Sequence, residues 1–382
     1  MVNASTLLGV VLLARHGDRL EFFQDPLTYN PAQTFLTPLG SVQELQLGSF
    51  LRSQYLDPRS PTFLNGISYD VANITQLNVR ADGGGEGAVI LESVYGLLGG
   101  LFPPTTDNNI TLANGTTIVS PFGGYQYIPV ESVEQNLDIS LNSFTSCPNF
   151  DNHISQFYSS GPFLAEAAIA APFLQNLQPF LGNRSTNFTN MFNIFDYVNV
   201  QSIHNATFFN QLQAALPTAN AQAYGFANFH EGGVFSDGSP SGIGNIAIRT
   251  IVPSIISSLQ GFASGGPVKL MLNEISYKPF ISFFNVTQAA ASQPLLNGIV
   301  DYASAVAIEL HTSRNATSEP TVYVRFKNGT TDPTFHDVQI FGQRSLPLSQ
   351  FVSKLAPIAV NTTQQWCTAC NQTSLRGCSV FQ

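Results

Sequence analysis

Two arginines bracket a histidine at Arg15-His16-Gly17-Asp18-Arg19, and this spacing is the strongest chemical signal in the chain. Each guanidinium offers a planar fork of donors for a phosphate or carboxylate, and an imidazole held between them can act as nucleophile, general base or metal ligand. The arginines argue against the metal, because a second cation would be repelled and no Cys or carboxylate ligand spacing accompanies His16. The element that must present the motif is the run Val10-Val11-Leu12-Leu13, β-branched and aliphatic as a buried parallel strand requires. Gly17 is expected to let the backbone turn where a Cβ would obstruct a ligand. The arrangement predicts an anion site at a strand end.

Further elements can be placed around it. Thr37-Pro38 supplies an N-cap and an N1 proline, and Val42, Leu45, Leu47, Phe50 and Leu51 then mark a helix running to Tyr55. Arg80 closes a strand in Val79-Arg80-Ala81-Asp82, although a lone arginine in itself reads as a surface residue. Gly83 to Ala88 partly fits a dinucleotide fingerprint but lacks a βαβ frame and an acidic ribose ligand, so no nucleotide cofactor is expected. A helix follows near Ala88 to Leu98. Late in the chain Val268 to Leu272 reads as a second buried strand with Asn273-Glu274 at its end.

Arg15-His16-Gly17-Asp18-Arg19, followed by Thr37-Pro38-Leu39-Gly40, Val79-Arg80-Ala81-Asp82 and a late strand ending in Asn273-Glu274, resembles the histidine acid phosphatases, a branch of the phosphoglycerate-mutase-like histidine phosphatase superfamily. The resemblance implies an α/β fold: a three-layer core with a mostly parallel central sheet flanked by helices, plus an inserted, mainly helical cap. It also implies that His16 attacks phosphorus to form a phosphohistidine while Arg15, Arg19 and Arg80 hold the phosphoryl oxygens. The family's late strand ends in a His-Asp or related pair. Aligning Pro279 with a proline common in the following helix sets Asn273 at the histidine and Glu274 at the proton donor. Asn273 keeps a hydrogen-bond donor but loses a charge. The triple glycine Gly83-Gly84-Gly85 and Glu86 replace bulkier, often basic residues, which alters the expected rim.

Composition narrows the function classes. With 382 residues, 43% of them hydrophobic, the chain can bury a large core. Only 10% of residues are charged and the net charge is -9, so nucleic acid is not an expected partner. No uninterrupted apolar span approaches the length of a membrane helix, so no membrane partner is expected either. Sequons begin at Asn3, Asn73, Asn109, Asn114, Asn183, Asn187, Asn205, Asn285, Asn315, Asn328, Asn361 and Asn371, which suggests an exported protein carrying N-linked glycans. No signal peptide is legible, since Leu7 to Ala14 is short and runs straight into the motif, and Met1 is expected to mark a trimmed start. Cys147, Cys367, Cys370 and Cys378 permit three complete pairings and suit two disulfides. Cys367-Thr-Ala-Cys370 lacks the context of a redox or zinc motif.

The chain divides, by these signals, into a core of residues 1–125 and 245–382 and a cap of residues 126–244. Glu21 to Phe35 reads as an irregular loop near the site, and Asn108 to Val119 as a hairpin turning at Asn114-Gly115. Helices are expected at Phe163 to Phe180, Met191 to Ser202 and Ile246 to Leu259. The Gly- and Ser-rich stretch from Ala221 to Asn245 is expected to hold His230-Glu231 in a solvated loop. Edge strands are expected near Thr321 to Phe326 and Asp337 to Ile340, a helix at Leu348 to Leu355, and His311 and His336 at the surface or at strand ends.

The expected function is hydrolysis of a small or apolar phosphate monoester with no cofactor and no metal. Phytate is disfavoured because fifteen Lys and Arg in the whole chain cannot line a polyphosphate cleft. The alternative is a repurposed or inactive phosphatase fold whose Arg-His pocket binds an anion or performs acid/base chemistry without a phosphoenzyme.

Overall fold

The computed structural model describes residues 6–20, 34–84, 88–312 and 319–382. The expected loop over 21–35, apart from Thr34 and Phe35, lies outside them, as do Gly85, Glu86 and the sequons at Asn3 and Asn315.

The strands are β1 (Leu7–Arg15), β2 (Leu77–Asp82), β3 (Asn109–Thr111), β4 (Thr117–Val119), β5 (Glu131–Val133), β6 (Leu270–Ile275), β7 (Ala305–His311), β8 (Thr321–Lys327), β9 (His336–Asp337) and β10 (Ser345–Pro347). The main sheet runs β10-β8-β7-β1-β6-β2-β5, with β9 paired to β8. The four strands β1, β6, β2 and β5 are parallel, while β7, β8 and β10 continue the sheet antiparallel. β8 is therefore internal, lying between β7 and β10. It shields its polar backbone on both sides, which an edge strand cannot do. β3 and β4 form the separate hairpin expected at Asn114-Gly115.

Helices cover both faces. On one face α1 (Pro38–Leu51) and α2 (Val89–Leu101) pack over Leu12, Ala14, Val79 and Leu272. The other face carries Val11, Leu13, Met271 and Ile275 beneath a larger cluster fed by the remaining helices. These are α3 (Pro148–Tyr158), α4 (Gly161–Leu181), α5 (Met191–His204), α6 (Ala206–Ala215), α7 (Ala219–Val234), α8 (Val252–Ala263), α9 (Lys278–Val286), α10 (Leu348–Leu355) and α11 (Thr363–Cys370). Successive strand residues alternate between these two clusters, as the period of 2 demands.

Residues 126–244 contribute β5 and the helices α3 to α7. Within them, His230 and Glu231 are not in a solvated loop. They lie in α7, at 3% and 4% exposure. Two of the glycines that suggested a loop are close-packing positions in the helix: a Cβ on Gly233 would meet the Phe157 ring at 2.0 Å and one on Gly232 would meet Asn297 at 2.9 Å.

Contrary to the sequence expectation, Ile243–Ala263 is helical and apolar enough over 21 residues to match a membrane span in length and composition. Half of its most apolar window is buried, and Ile246, Ile251, Ile255 and Phe262 belong to the large cluster, so the run packs as a core element. Disulfides join Cys147 to Cys370 and Cys367 to Cys378. The first ties the start of α3 to the C-terminal helix across 223 residues and therefore removes the most freedom from the unfolded chain, about 5 kcal/mol in a chain-entropy account. His311 is buried at the end of β7, bonded to Glu309 at 2.8 Å, and His336 is exposed.

Candidate active site

The motif sits at the C-terminal end of β1, where the parallel strands stop. The backbone N–H of Arg15 donates to Ser304 O at 2.9 Å, that of His16 to Ile275 O at 3.2 Å, and that of Ala303 to His16 O at 3.3 Å. The loop before β7 and the end of β6 thus fix the histidine from both sides. His16 is fully buried, with Nδ1 2.8 Å from Gly17 O. A carbonyl can only accept, so Nδ1 carries the proton and Nε2 carries the lone pair. Gly17 is not clearing space for a ligand, as the sequence suggested. A Cβ there would meet the Gly40 backbone at 2.6 Å, and one on Gly40 would meet Asp18 O at 2.3 Å. The two glycines let the start of α1 press against the motif, where Thr37 caps Gly40 N at 3.1 Å and donates to Asp18 Oδ2 at 2.5 Å. His204 of α5 meets the same Asp18 oxygen at 2.7 Å.

The arginines differ in how they are held. Arg15 donates through Nη1 to Val300 O, and its guanidinium lies 4.3 Å from the Tyr302 ring centre and 5.3 Å from that of Tyr277. Its Nε has no hydrogen-bond partner among the described residues. Arg19, 1% exposed, donates to Asp196 Oδ1 of α5 at 2.9 Å. Arg80 donates to Glu131 at 2.8 Å, Asp138 at 3.2 Å and Ser140 at 2.9 Å, so two carboxylates on the β5 side engage it. The Tyr302 ring also lies 5.7 Å from that of His16, and burial pushes its hydroxyl pKa up to about 12.

Register decides where the late pair falls. β6 does not stop at Asn273-Glu274, because the strand continues to Ile275, level with Arg15, and Ser276-Tyr277 follow. Asn273 aligns with Leu13 and Arg80, so Arg15, Asn273 and Arg80 project from one face of the sheet. Glu274 aligns with Ala14 and Ala81 and projects from the other. There it shares the apolar layer with Glu44 of α1. Both carboxyls are fully buried, and none of their four oxygens has a hydrogen-bond partner among the described residues. Burial holds both pKa values well above the usual range, and the charge of Glu274 raises that of Glu44 further while Arg15 opposes it. The amide of Asn273 is likewise buried and unpartnered among the described residues.

A cleft of about 400 Å³ opens beside the motif, bounded by Arg15, Phe195, Asp196, Tyr224, Asp301 and Tyr302 among others. Arg15 is the one cation among its described lining residues, against Asp196 and Asp301. Tyr277, Tyr302, Asp196 and Asp301 were missed in the sequence, where they stand far from the motif with no spacing pattern. Beneath the cleft, Tyr277 donates to Glu231, which meets His230 Nδ1 at 2.8 Å, a buried chain linking α7 to the end of β6.

No family model matches the chain. Over 214 residues it is 29% identical to prostatic acid phosphatase of Bos taurus and of Homo sapiens, covering 54% of this chain. The chain spans about half, 50%, of the length of the curated relatives it matches. Its fold is similar to a phytase of Klebsiella sp ASR1 (TM-score 0.65, 12% identity, 94% of this chain and 96% of that one). A phytase of Citrobacter braakii gives a TM-score of 0.63 at 13% identity over 93% of this chain and 98% of that one. The Bifidobacterium longum multiple inositol polyphosphate phosphatase, solved with phosphate, gives 0.56 at 11% identity over 95% of each chain.

Proposed function

We propose that this chain, 29% identical over 214 residues to prostatic acid phosphatase and similar in fold to phytases, is a histidine acid phosphatase that hydrolyses a phosphate monoester through a phosphohistidine on His16. The observation that carries the reading is the orientation of His16. It stands between Arg15 and Arg19 at a parallel strand end, with Nδ1 turned to Gly17 O and Nε2 left as the nucleophilic nitrogen. The P–Nε2 bond forms as the P–O bond to the leaving alcohol breaks, and an acid must protonate that oxygen. Water then attacks phosphorus, the P–Nε2 bond breaks, and inorganic phosphate leaves. Arg15, Arg19, Arg80 and the buried amide of Asn273 are the groups assigned to the phosphoryl oxygens, and losing one such contact typically costs on the order of 10²-fold.

The substrate assigned is small or apolar. Phe195, Tyr224 and Tyr302 line the cleft, whose one arginine faces two aspartates while Arg19 and Arg80 are each engaged by carboxylates, a charge balance that disfavours the polyanion suggested by the names of the phytases of similar fold. Two disulfides and the exposed sequons support export and glycosylation. A second reading, anion binding without turnover, draws on the engagement of Arg19 and Arg80 by Asp196, Glu131 and Asp138, which lowers the positive potential a phosphate meets. Phosphate release from aryl and alkyl monoesters between about pH 3 and 8 separates the two readings. Turnover absent from His16→Ala is expected, and phosphate binding with no turnover above that variant would favour the second reading. Clear hydrolysis of phytate would overturn the substrate class.

A further inference from the structure

The reaction needs an acid on the cleft side of the sheet, and the end of β6 supplies none. Ser276 and Tyr277 occupy it, while Glu274 projects from the opposite face into the layer beneath α1 and α2. We propose that Asp301 is the proton donor to the leaving oxygen, a catalytic residue supplied by the loop before β7. This rests on the phosphatase reading above.

Three observations support the assignment. First, Asp301 is an exposed residue in the wall of the cleft that also holds Arg15, so a substrate anchored on that arginine lies beside it. Second, its loop is fastened to the nucleophile's own segment. Arg15 donates both its backbone N–H to Ser304 O and its guanidinium to Val300 O, and Ala303 N donates to His16 O. The backbone of Asp301 is tied down in turn, its N–H donating to Asn328 Oδ1 at 2.9 Å and its carbonyl accepting from Ser304 N at 3.2 Å. The carboxyl is thus set on a rigid support without being spent on the support's hydrogen bonds, as a group that must exchange a proton requires. Third, the cleft wall around it desolvates the carboxyl enough to raise its pKa, with Arg15 pulling the other way. The protonated form is favoured relative to that of an ordinary aspartate.

The proton balance is complete. The carboxylic acid of Asp301 gives its proton to the leaving oxygen as the P–O bond breaks, and the alcohol departs. The resulting carboxylate takes a proton from the water that cleaves the P–Nε2 bond, which restores the acid and frees phosphate.

The test compares Asp301→Asn with the unaltered protein on two monoesters, 4-nitrophenyl phosphate, whose leaving oxygen needs no proton, and a simple alkyl phosphate, whose oxygen does. The expected result is a kcat loss of about 10²- to 10⁴-fold on the alkyl ester, a change of a few-fold at most on the aryl ester, and unchanged KM for both. Equal losses on both esters would mark a structural role and overturn the assignment. So would full activity of Asp301→Asn on the alkyl ester, or the leaving-group-selective loss appearing in Glu274→Gln instead. If the unaltered protein turns over neither ester, the phosphatase reading fails and the donor assignment falls with it. A normal aryl rate with an unselective Asp301→Asn sinks the donor alone.

Discussion

Glu274 and Glu44 occupy a layer where neither can be hydrated or hydrogen-bonded by described neighbours, and an ionised carboxylate there is opposed by burial and by its companion. Both therefore keep their protons at pH values where the unfolded chain has lost them. Because the folded pKa values are raised, the stabilising effect of the neutral pair is whole below the ordinary glutamate value of 4.5 and is lost progressively as pH rises above it. The protein is thus expected to melt at a higher temperature near pH 4.5 than near pH 8. Glu274→Gln, which keeps the shape and removes the titration, should flatten that slope and raise Tm at pH 8 by on the order of one to a few degrees. Thermal melts across that range check it, and an unchanged slope in the variant would show that the pair is hydrated or paired in solution. Protonation states of this kind cannot be read from residue types. Arg15, His16 and Arg19 were legible because they are contiguous, whereas Glu44 becomes a partner of Glu274 only when α1 lies over β6.

At the scale of elements, α7 shows how packing can override a loop-like composition. Gly225 and Gly233 lie in the same helix, and local propensity penalises both by about 0.5 to 1 kcal/mol relative to alanine. Their surroundings differ: a Cβ on Gly225 meets nothing within 4 Å, and one on Gly233 would fall 2.0 Å from the Phe157 ring. Gly225→Ala should therefore stabilise the protein by about 0.5 to 1 kcal/mol, while Gly233→Ala should destabilise it by about 1 to 3 kcal/mol. Urea unfolding of the two variants reads both signs, and equal shifts would mean that α3 and α7 are not packed as described. The same contrast explains what the sequence revealed. β1, α1 and α4 carry apolar runs, an N-cap at Thr37 or Ser160 and helix-opening prolines, all local signals. The end of β6 was misread because two polar residues usually stop a buried strand. Here Ala14 and Ala81 make room for Glu274, and Leu13 and Arg80 flank Asn273. The cleft wall was equally invisible, since Asp196, Asp301 and Tyr302 meet Arg15 only through the packing of α5 and the loop before β7 against the motif.

At the scale of the whole molecule, glycans must avoid the side chains that hold the fold together. Asn328 Oδ1 accepts from the backbone of Asp301 and from Ser304 Oγ, and Asn285 Oδ1 accepts from Asp237 N, both at partly buried positions. An N-linked sugar replaces one hydrogen on Nδ2 and leaves Oδ1 accepting, so at these half-buried amides it is the bulk of the sugar that the packing opposes. The one on Asn328 would loosen the loop that carries Asp301 and Tyr302. Asn109, Asn114, Asn183, Asn187, Asn205, Asn361 and Asn371 are exposed instead. Asn114 is exposed in the turn of the β3–β4 hairpin, which is separate from the main sheet. Expression through a eukaryotic secretory route should thus modify several of the exposed sites and leave Asn285 and Asn328 bare, as judged by mass spectrometry of peptides after enzymatic deglycosylation. Asn328→Asp changes that outcome's meaning from occupancy to structure. It retains the accepting oxygen but exchanges the amide N–H₂ for a second carboxylate oxygen and a negative charge beside Asp332, so a small loss of Tm that shrinks at acidic pH is expected, whereas Asn328→Ala strips the acceptor from two donors and should lower Tm by several degrees at every pH. Full glycosylation of Asn328 in a folded, stable protein would mean that its amide is not half-buried, and an unchanged Tm in Asn328→Ala would mean that the loop before β7 is not fastened through that side chain.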